Sequence, residues 1–168
     1  CYEYGVAEGC LSEDMPTNPT TVYGTAKDTL RRYLSFLAEE FGIPWNWIRL
    51  FFLYGDGQSP RPLLPQLEAA IARRESEFPM SGGEQHRDYL PAKKAAEYIC
   101  RIAIQNTTSG VVNCCSGEVI SVRRLVEQQV AETGATITLK LGVYGYPAYE
   151  GMAFWGDVKR LHEVLNDA

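Results

Sequence analysis

No stretch of the sequence holds eighteen consecutive apolar residues, so no segment reads as a membrane-spanning helix. The N-terminus lacks a basic segment followed by an apolar stretch and a small-residue cleavage site, which gives a cytoplasmic chain as the expectation. Cysteine is confined to Cys1, Cys10, Cys100, Cys114 and Cys115. The number is odd and no C-x-x-C spacing occurs, so neither a disulfide framework nor a zinc site is suggested, and buried free thiols are expected. Histidine is scarcer still: His86 and His162 stand far apart with no H-x-x-x-H spacing, so no metal centre is expected. Positive charge is also short, with 16 Lys and Arg against 21 Asp and Glu and a net charge of -5. That balance argues against wrapping nucleic acid or lying on an anionic membrane and leaves a small molecule or a protein as partner.

What is present suits an ordinary globular domain, or one domain with part of a second: 168 residues, 45% hydrophobic and 22% charged. Residues 6–19 carry Gly, Pro, Asn and Asp without periodicity and read as a surface loop. Apolar residues at Val22, Ala26, Leu30, Leu34, Leu37, Ala38 and Phe41 then recur at helical spacing, with Thr20 or Thr21 as cap and Gly42 and Pro44 as stop. The aromatic run "WNWIRLFFLY", residues 45–54, predicts a strand buried on both faces of a parallel sheet. The following loop, "GDGQSPRP", lies at the carboxyl end of that strand, where open α/β sheets bind ligands. Helices are predicted over 63–74, 92–105, 122–133 and 157–165, and strands at "EFPM", "GVVNCC" and "TITLKL". Helices alternating with short strands make the fold class α/β.

The stretch "TTVYGTAKDTL" places Tyr23 four residues before Lys27. A helix puts such residues on one face, where an ammonium favours the phenolate form of a tyrosine that is otherwise too weak an acid to move protons at neutral pH. The spacing alone is weak evidence, because Tyr89 and Lys93 repeat it with Pro91 between them.

The context is more specific. The pattern P-x-x-x-Y-G-x-A-K from Pro19, the preceding "EYG", the strand "RLFFLYGDGQ", then "GGEQHRDYL" and "VVNCCSGEVISVRRLVE" follow in one order over nearly the whole chain. Together they resemble the extended short-chain dehydrogenase/reductase family, in particular its sugar-nucleotide epimerases, dehydratases and 4-ketoreductases. The resemblance implies the C-terminal part of a Rossmann-type doubly wound sheet plus a small α/β substrate-binding domain. Residues 1–60 would be the remnant of the Rossmann-like domain, and residues 61–168 mainly the substrate domain, with some segments returning to the sheet. It implies NAD or NADP as cofactor and a nucleotide sugar as substrate. Tyr23 would be the general acid/base, and Lys27 would lower its pKa and bond the nicotinamide ribose. Leu50 and Phe51 would touch the cofactor, and Phe52, Leu64, Arg87 and Glu150 the substrate. Arg87 would take the diphosphate and Glu150 the nucleotide ribose. A surface arginine paired with Asp88 or Glu84, a solvated loop carboxylate at 150, and plain apolar packing of Leu64 and Pro65 are the alternatives. In many relatives the Tyr-Lys helix also forms a dimer, so a homodimer through it is a further expectation.

The chain departs from the family pattern in several places. The hydroxyl residue that normally accompanies the Tyr-Lys pair falls one position before Cys1, and no G-x-x-G-x-x-G turn for the dinucleotide pyrophosphate occurs. Gly142 and Gly145 precede Pro147 in a loop rather than a helix and fail that context. Phe52 stands where many relatives carry a substrate-binding Asn. Pro91, Ala92, Lys93 and Lys94 replace an aspartate-rich stretch, and Pro147 lies near where some relatives have an arginine. The Asp-Glu pair of dehydratases is replaced by Cys1 and Tyr2. Epimerase or ketoreductase therefore remains, with a longer parent protein expected. A nucleotide-sugar-binding or dimerising fragment unable to hold NAD(P) alone is the alternative.

Overall fold

The computed structural model describes residues 1–105 and 109–166. A 3-10 turn at Tyr2–Tyr4 opens the chain, followed by β1 (Gly9–Leu11), α1 (Val22–Phe41), β2 (Asn46–Leu50), β3 (Phe52–Tyr54) and α2 (Leu63–Ala72). Next come β4 (Glu77–Pro79), β5 (His86–Arg87), β6 (Tyr89–Pro91), α3 (Ala92–Ile104), β7 (Gly110–Cys114), β8 (Ile120–Ser121) and α4 (Val122–Thr133). The chain ends on β9 (Thr138–Lys140), β10 (Phe154–Gly156) and α5 (Lys159–Asn166). Four pairings are parallel (β1 with β10, β2 with β7, β3 with β6, β4 with β9), and β5 with β8 is antiparallel. Mixed α/β architecture with parallel strands is thus what the alternation of elements predicted.

Local chemistry sets the helix ends. The Thr21 hydroxyl accepts from Gly24 N at 3.0 Å and starts α1, and Gly42 ends it in the left-handed conformation at φ 63°. Ser121 and Gly134 play the same parts for α4. Side chains from α2, β4 and α4 form one core cluster around Leu67, Met80 and Val126. A second gathers Tyr4, Leu11, Phe51, Cys115 and Phe154, and a third packs Ile102 of α3 and Leu161 and Val164 of α5 against Val112.

Three expectations need correction. Residues 6–19 are not all loop, because β1 pairs with β10 in the register Cys10 to Trp155. The run 45–54 is two strands: β2 follows β7, then Phe51 donates its N–H to Cys114 O and Phe52 donates to Asp88 O, so β3 changes partner to β6. Phe51, buried in the second cluster, is the pivot of that switch. Nor is the run buried on both faces, since Asn46, Trp47 and Ile48 are half-buried and Leu50 is exposed. The last helix begins at Lys159, whose N–H donates to the Asp157 carboxylate at 2.8 Å. Among the described residues no helix is long and apolar enough to cross a membrane.

Candidate active site

The cap at Thr21 places Tyr23 and Lys27 in the first turns of α1, on one face. The Lys27 ammonium lies 5.7 Å from the centre of the Tyr23 ring. The same ring meets Tyr2 edge-on, with centroids 6.3 Å apart and planes at 89°. Tyr23 is 62% exposed. The other pair at this spacing does not converge on one helix: Tyr89 is on β6 and Lys93 on α3.

Beside Tyr23 lies a cavity of about 590 Å³. Its walls include Tyr2, Gly24, Lys27, Arg49, Leu50, Phe51 and Phe52. The structure therefore gathers five of the residues singled out from sequence (Tyr23, Lys27, Leu50, Phe51, Phe52) around one space. Gly24 matters to this arrangement, because a Cβ there would sit 2.7 Å from the Tyr2 carbonyl oxygen. The base of the cavity is held by Glu3, which is buried and accepts from Trp47 Nε1 at 2.7 Å and Arg49 Nε at 2.8 Å.

Arg87 and Glu150 form a second group. Arg87 is buried on β5; its Nη2 donates to Glu150 Oε2 at 2.9 Å, and its Nη1 donates to the carbonyls of His86 and Met152. Its guanidinium lies 4.5 Å from the Phe154 ring centre and 5.6 Å from that of Phe52. Phe52 thus offers no hydrogen bond to a substrate but packs, together with Phe154, against the guanidinium. The partners expected for a purely structural Arg87 are engaged elsewhere. Asp88, fully buried, accepts from Ser116 N and Oγ, Gly117 N and Gly156 N, and Glu84 accepts from the Tyr146 hydroxyl. Glu150 is not a solvated loop carboxylate either, being mostly buried against Arg87. Leu64 is buried on the first turn of α2 and is no part of the cavity wall.

Tyr2 joins the two groups. Its hydroxyl donates to Glu150 Oε1 at 3.0 Å while its ring touches Tyr23. Burial, and then the Glu150 carboxylate, push its pKa well above the ordinary tyrosine value, so it remains a protonated donor. Sequence reading placed Tyr2 only as a replacement for a dehydratase carboxylate. Its bond to Glu150 spans 148 positions and leaves no local signature.

The cysteines divide. Cys114 and Cys115 are buried free thiols, as expected, whereas Cys10 and Cys100 are exposed and Cys1 is half-buried. Burial, with Asp88 adding to it, pushes Cys114 up to about 11 and Cys115 higher still, which keeps both as unreactive thiols.

Residues 1–115, more than half the chain, match the sequence model of the NAD dependent epimerase/dehydratase family. A curated relative, the dTDP-6-deoxy-L-talose 4-dehydrogenase (NAD(+)) of Aggregatibacter actinomycetemcomitans, is 30% identical over 92% of this chain and 57% of its own length. UDP-glucose 4-epimerase of Corynebacterium glutamicum is 30% identical over 76% of this chain and 44% of its own. Among solved structures, MoeE5 in complex with UDP-glucuronic acid and NAD superposes with a TM-score of 0.84 at 26% identity, covering 99% of this chain and 56% of that one. The UDP-N-acetylglucosamine 4-epimerase of Methanobrevibacter ruminantium M1 shares the fold, with a TM-score of 0.88 at 23% identity over 97% of this chain and 53% of that one. The chain spans about half the length of the curated relatives it matches.

Proposed function

Because the chain belongs to the NAD-dependent epimerase/dehydratase family, we propose that it carries the acid/base and substrate-recognition residues of an epimerase or 4-ketoreductase acting on a nucleotide-linked sugar. The observation that supports this reading is the chain of contacts from Tyr23 and Lys27, through Tyr2, to Glu150 and Arg87. One end of that chain suits proton transfer and the other suits a ribose and a diphosphate.

In this reading NAD or NADP, when bound, supplies the hydride exchange. Tyr23, Lys27, Leu50 and Phe51 are the residues of this chain that would border it, and they fit because they line one open cavity. Tyr23 gives a proton to, or takes one from, a sugar hydroxyl at its phenol oxygen. Lys27 stabilises negative charge on that oxygen as the proton leaves. Arg87, packed against the Phe52 and Phe154 rings, presents positive charge toward the diphosphate, and Glu150 accepts from ribose hydroxyls. The chain has no G-x-x-G-x-x-G turn, so the pyrophosphate of the dinucleotide would be held by other parts of the protein. The absence of that turn is also what favours the second reading, a nucleotide-sugar-binding or dimerising piece that cannot hold NAD(P) by itself.

The experiment is Tyr23→Phe in the intact protein that contains this chain. Loss of one positioned proton-transfer group is expected to lower kcat by roughly 10²- to 10⁴-fold with nucleotide-sugar binding retained. Undiminished turnover would overturn the acid/base assignment. Titrating the 168-residue chain with NADH and with UDP- and dTDP-sugars separates the second reading, which expects sugar-nucleotide binding without NADH binding.

A further inference from the structure

We propose that Tyr2 is the positioning residue that sets Glu150 and Arg87 for the nucleotide and registers that pair against the catalytic tyrosine. The proposal rests on the nucleotide-sugar reading above.

The Arg87 and Glu150 heads are already held by neighbouring groups. Arg87 Nη1 already serves two carbonyls and one Nη2 hydrogen serves Glu150 Oε2. The guanidinium therefore cannot swing out as a free fork to meet a phosphate; it can act only from the place its neighbours define. Glu150 is equally constrained, since Oε2 takes Arg87 and Oε1 takes the Tyr2 hydroxyl. It sits in the loop ahead of β10, outside any strand or helix. Take away the Tyr2 hydroxyl and one carboxylate oxygen loses its donor, leaving Glu150 to rotate about its contact with Arg87.

Tyr2 suits this part better than a water or a serine would. Its ring is wedged edge-on against Tyr23, and its backbone lies over Gly24 of the same helix, so the phenol is aimed from a rigid base. As a neutral, half-buried donor it does not exchange protons in the working pH range, which separates its role from that of Tyr23. Tyr2 thus has two functions on one side chain: the hydroxyl orients the nucleotide-binding acid, and the ring locates Tyr23. The hydroxyl can be removed with the ring kept.

The test uses the intact protein that contains this chain, with binding of UDP and of dTDP measured by calorimetry alongside steady-state kinetics. Tyr2→Phe keeps the ring and deletes the donor. It is expected to weaken binding of the preferred nucleoside diphosphate and raise KM for the nucleotide sugar by roughly 10- to 150-fold, the scale of one hydrogen bond to a charged group. kcat is expected to stay within about twofold, because the Tyr23 contact survives. Tyr2→Leu, which also removes the edge contact, is expected to show the same loss of binding and a lower kcat. A Tyr2→Phe protein that binds UDP and dTDP as tightly as wild type overturns the proposal, as does a wild-type protein that binds neither. A variant that merely loosened the fold would lower kcat and binding together, so the split between the Phe and Leu variants distinguishes positioning from damage. Calorimetry does not depend on turnover, and activity surviving Tyr23→Phe would sink the catalytic reading without touching the Tyr2 result.

Discussion

Gly24 shows how much of the site depends on one missing methyl group. Its backbone is helical, so conformational freedom is not the reason for glycine; space is, because a Cβ would stand 2.7 Å from the Tyr2 carbonyl. Gly24→Ala gains about 1 kcal/mol of helix propensity but forces the Tyr2 segment outward, an overpacking cost of roughly 1 to 3 kcal/mol. Urea denaturation is expected to show a net loss of stability or at most no gain, together with weaker nucleoside diphosphate binding as Tyr2 shifts. A stabilised variant with unaltered binding would contradict the contact. Arg87 provides the complementary case. Arg87→Leu fills similar volume yet leaves Glu150 mostly buried without its cation, a loss of about 3 kcal/mol. Adding Glu150→Gln should restore part of that loss, and a double-mutant cycle measures the coupling. Strict additivity of the two changes would mean that the 2.9 Å pair contributes nothing.

At the scale of elements, α1 is tied down by charge as much as by packing. Asp28, one of its few buried residues, accepts from Arg31 and Arg32, and Arg32 goes on to Thr17. Burial acts to raise the Asp28 pKa, but the hydrogen bonds from Arg31, Arg32 and Thr17 together outweigh it and hold the carboxyl below the ordinary aspartate value. The folded state therefore binds this proton less readily than the unfolded chain. The resulting stability is present above the unfolded pKa and is lost as pH falls through the folded one. Asp28→Asn is expected to make stability less steeply dependent on pH below about 4, measured by denaturation at a series of pH values; an identical acid limb would refute this. Elements such as α1 and α4 were legible because caps, stops and helical spacing are local. For the same reason Tyr23 and Lys27 could be picked out together. β1 was not legible: three residues without alternation become a strand only when Phe154–Gly156 arrives from the far end of the chain. The division of the aromatic run at Phe51 has the same origin, since the switch of partner is made by Cys114 and Asp88. Arg87 and Glu150 could each be named from the family resemblance, but the hydrogen bonds joining them to each other and to Tyr2 belong to the tertiary structure.

For the whole molecule the leading question is what covers α1. Its large apolar side chains stand open to solvent in two stripes. Leu30, Leu34 and Phe41 continue the line of Tyr23 along the helix, while Val22, Tyr33 and Phe36 lie on the neighbouring flank, with Val22 91% and Phe36 61% exposed. Exposed large hydrophobic residues in this density mark an association surface. We propose that the Val22, Tyr33 and Phe36 flank meets its counterpart on a second copy, giving the homodimer through the Tyr-x-x-x-Lys helix. The net charge of -5 opposes association only weakly at physiological salt, where the Debye length is about 8 Å. Sedimentation of the 168-residue chain is expected to show concentration-dependent dimerisation. Phe36→Glu introduces a charge into the contact and a like charge on its mate, and should move the chain toward monomer. Leu34→Glu, on the stripe that follows Tyr23, should leave the dimer in place. If Leu34→Glu dissociates the chain and Phe36→Glu does not, the contact runs through the stripe beside the cavity, and the dimer assignment to the Phe36 flank is wrong.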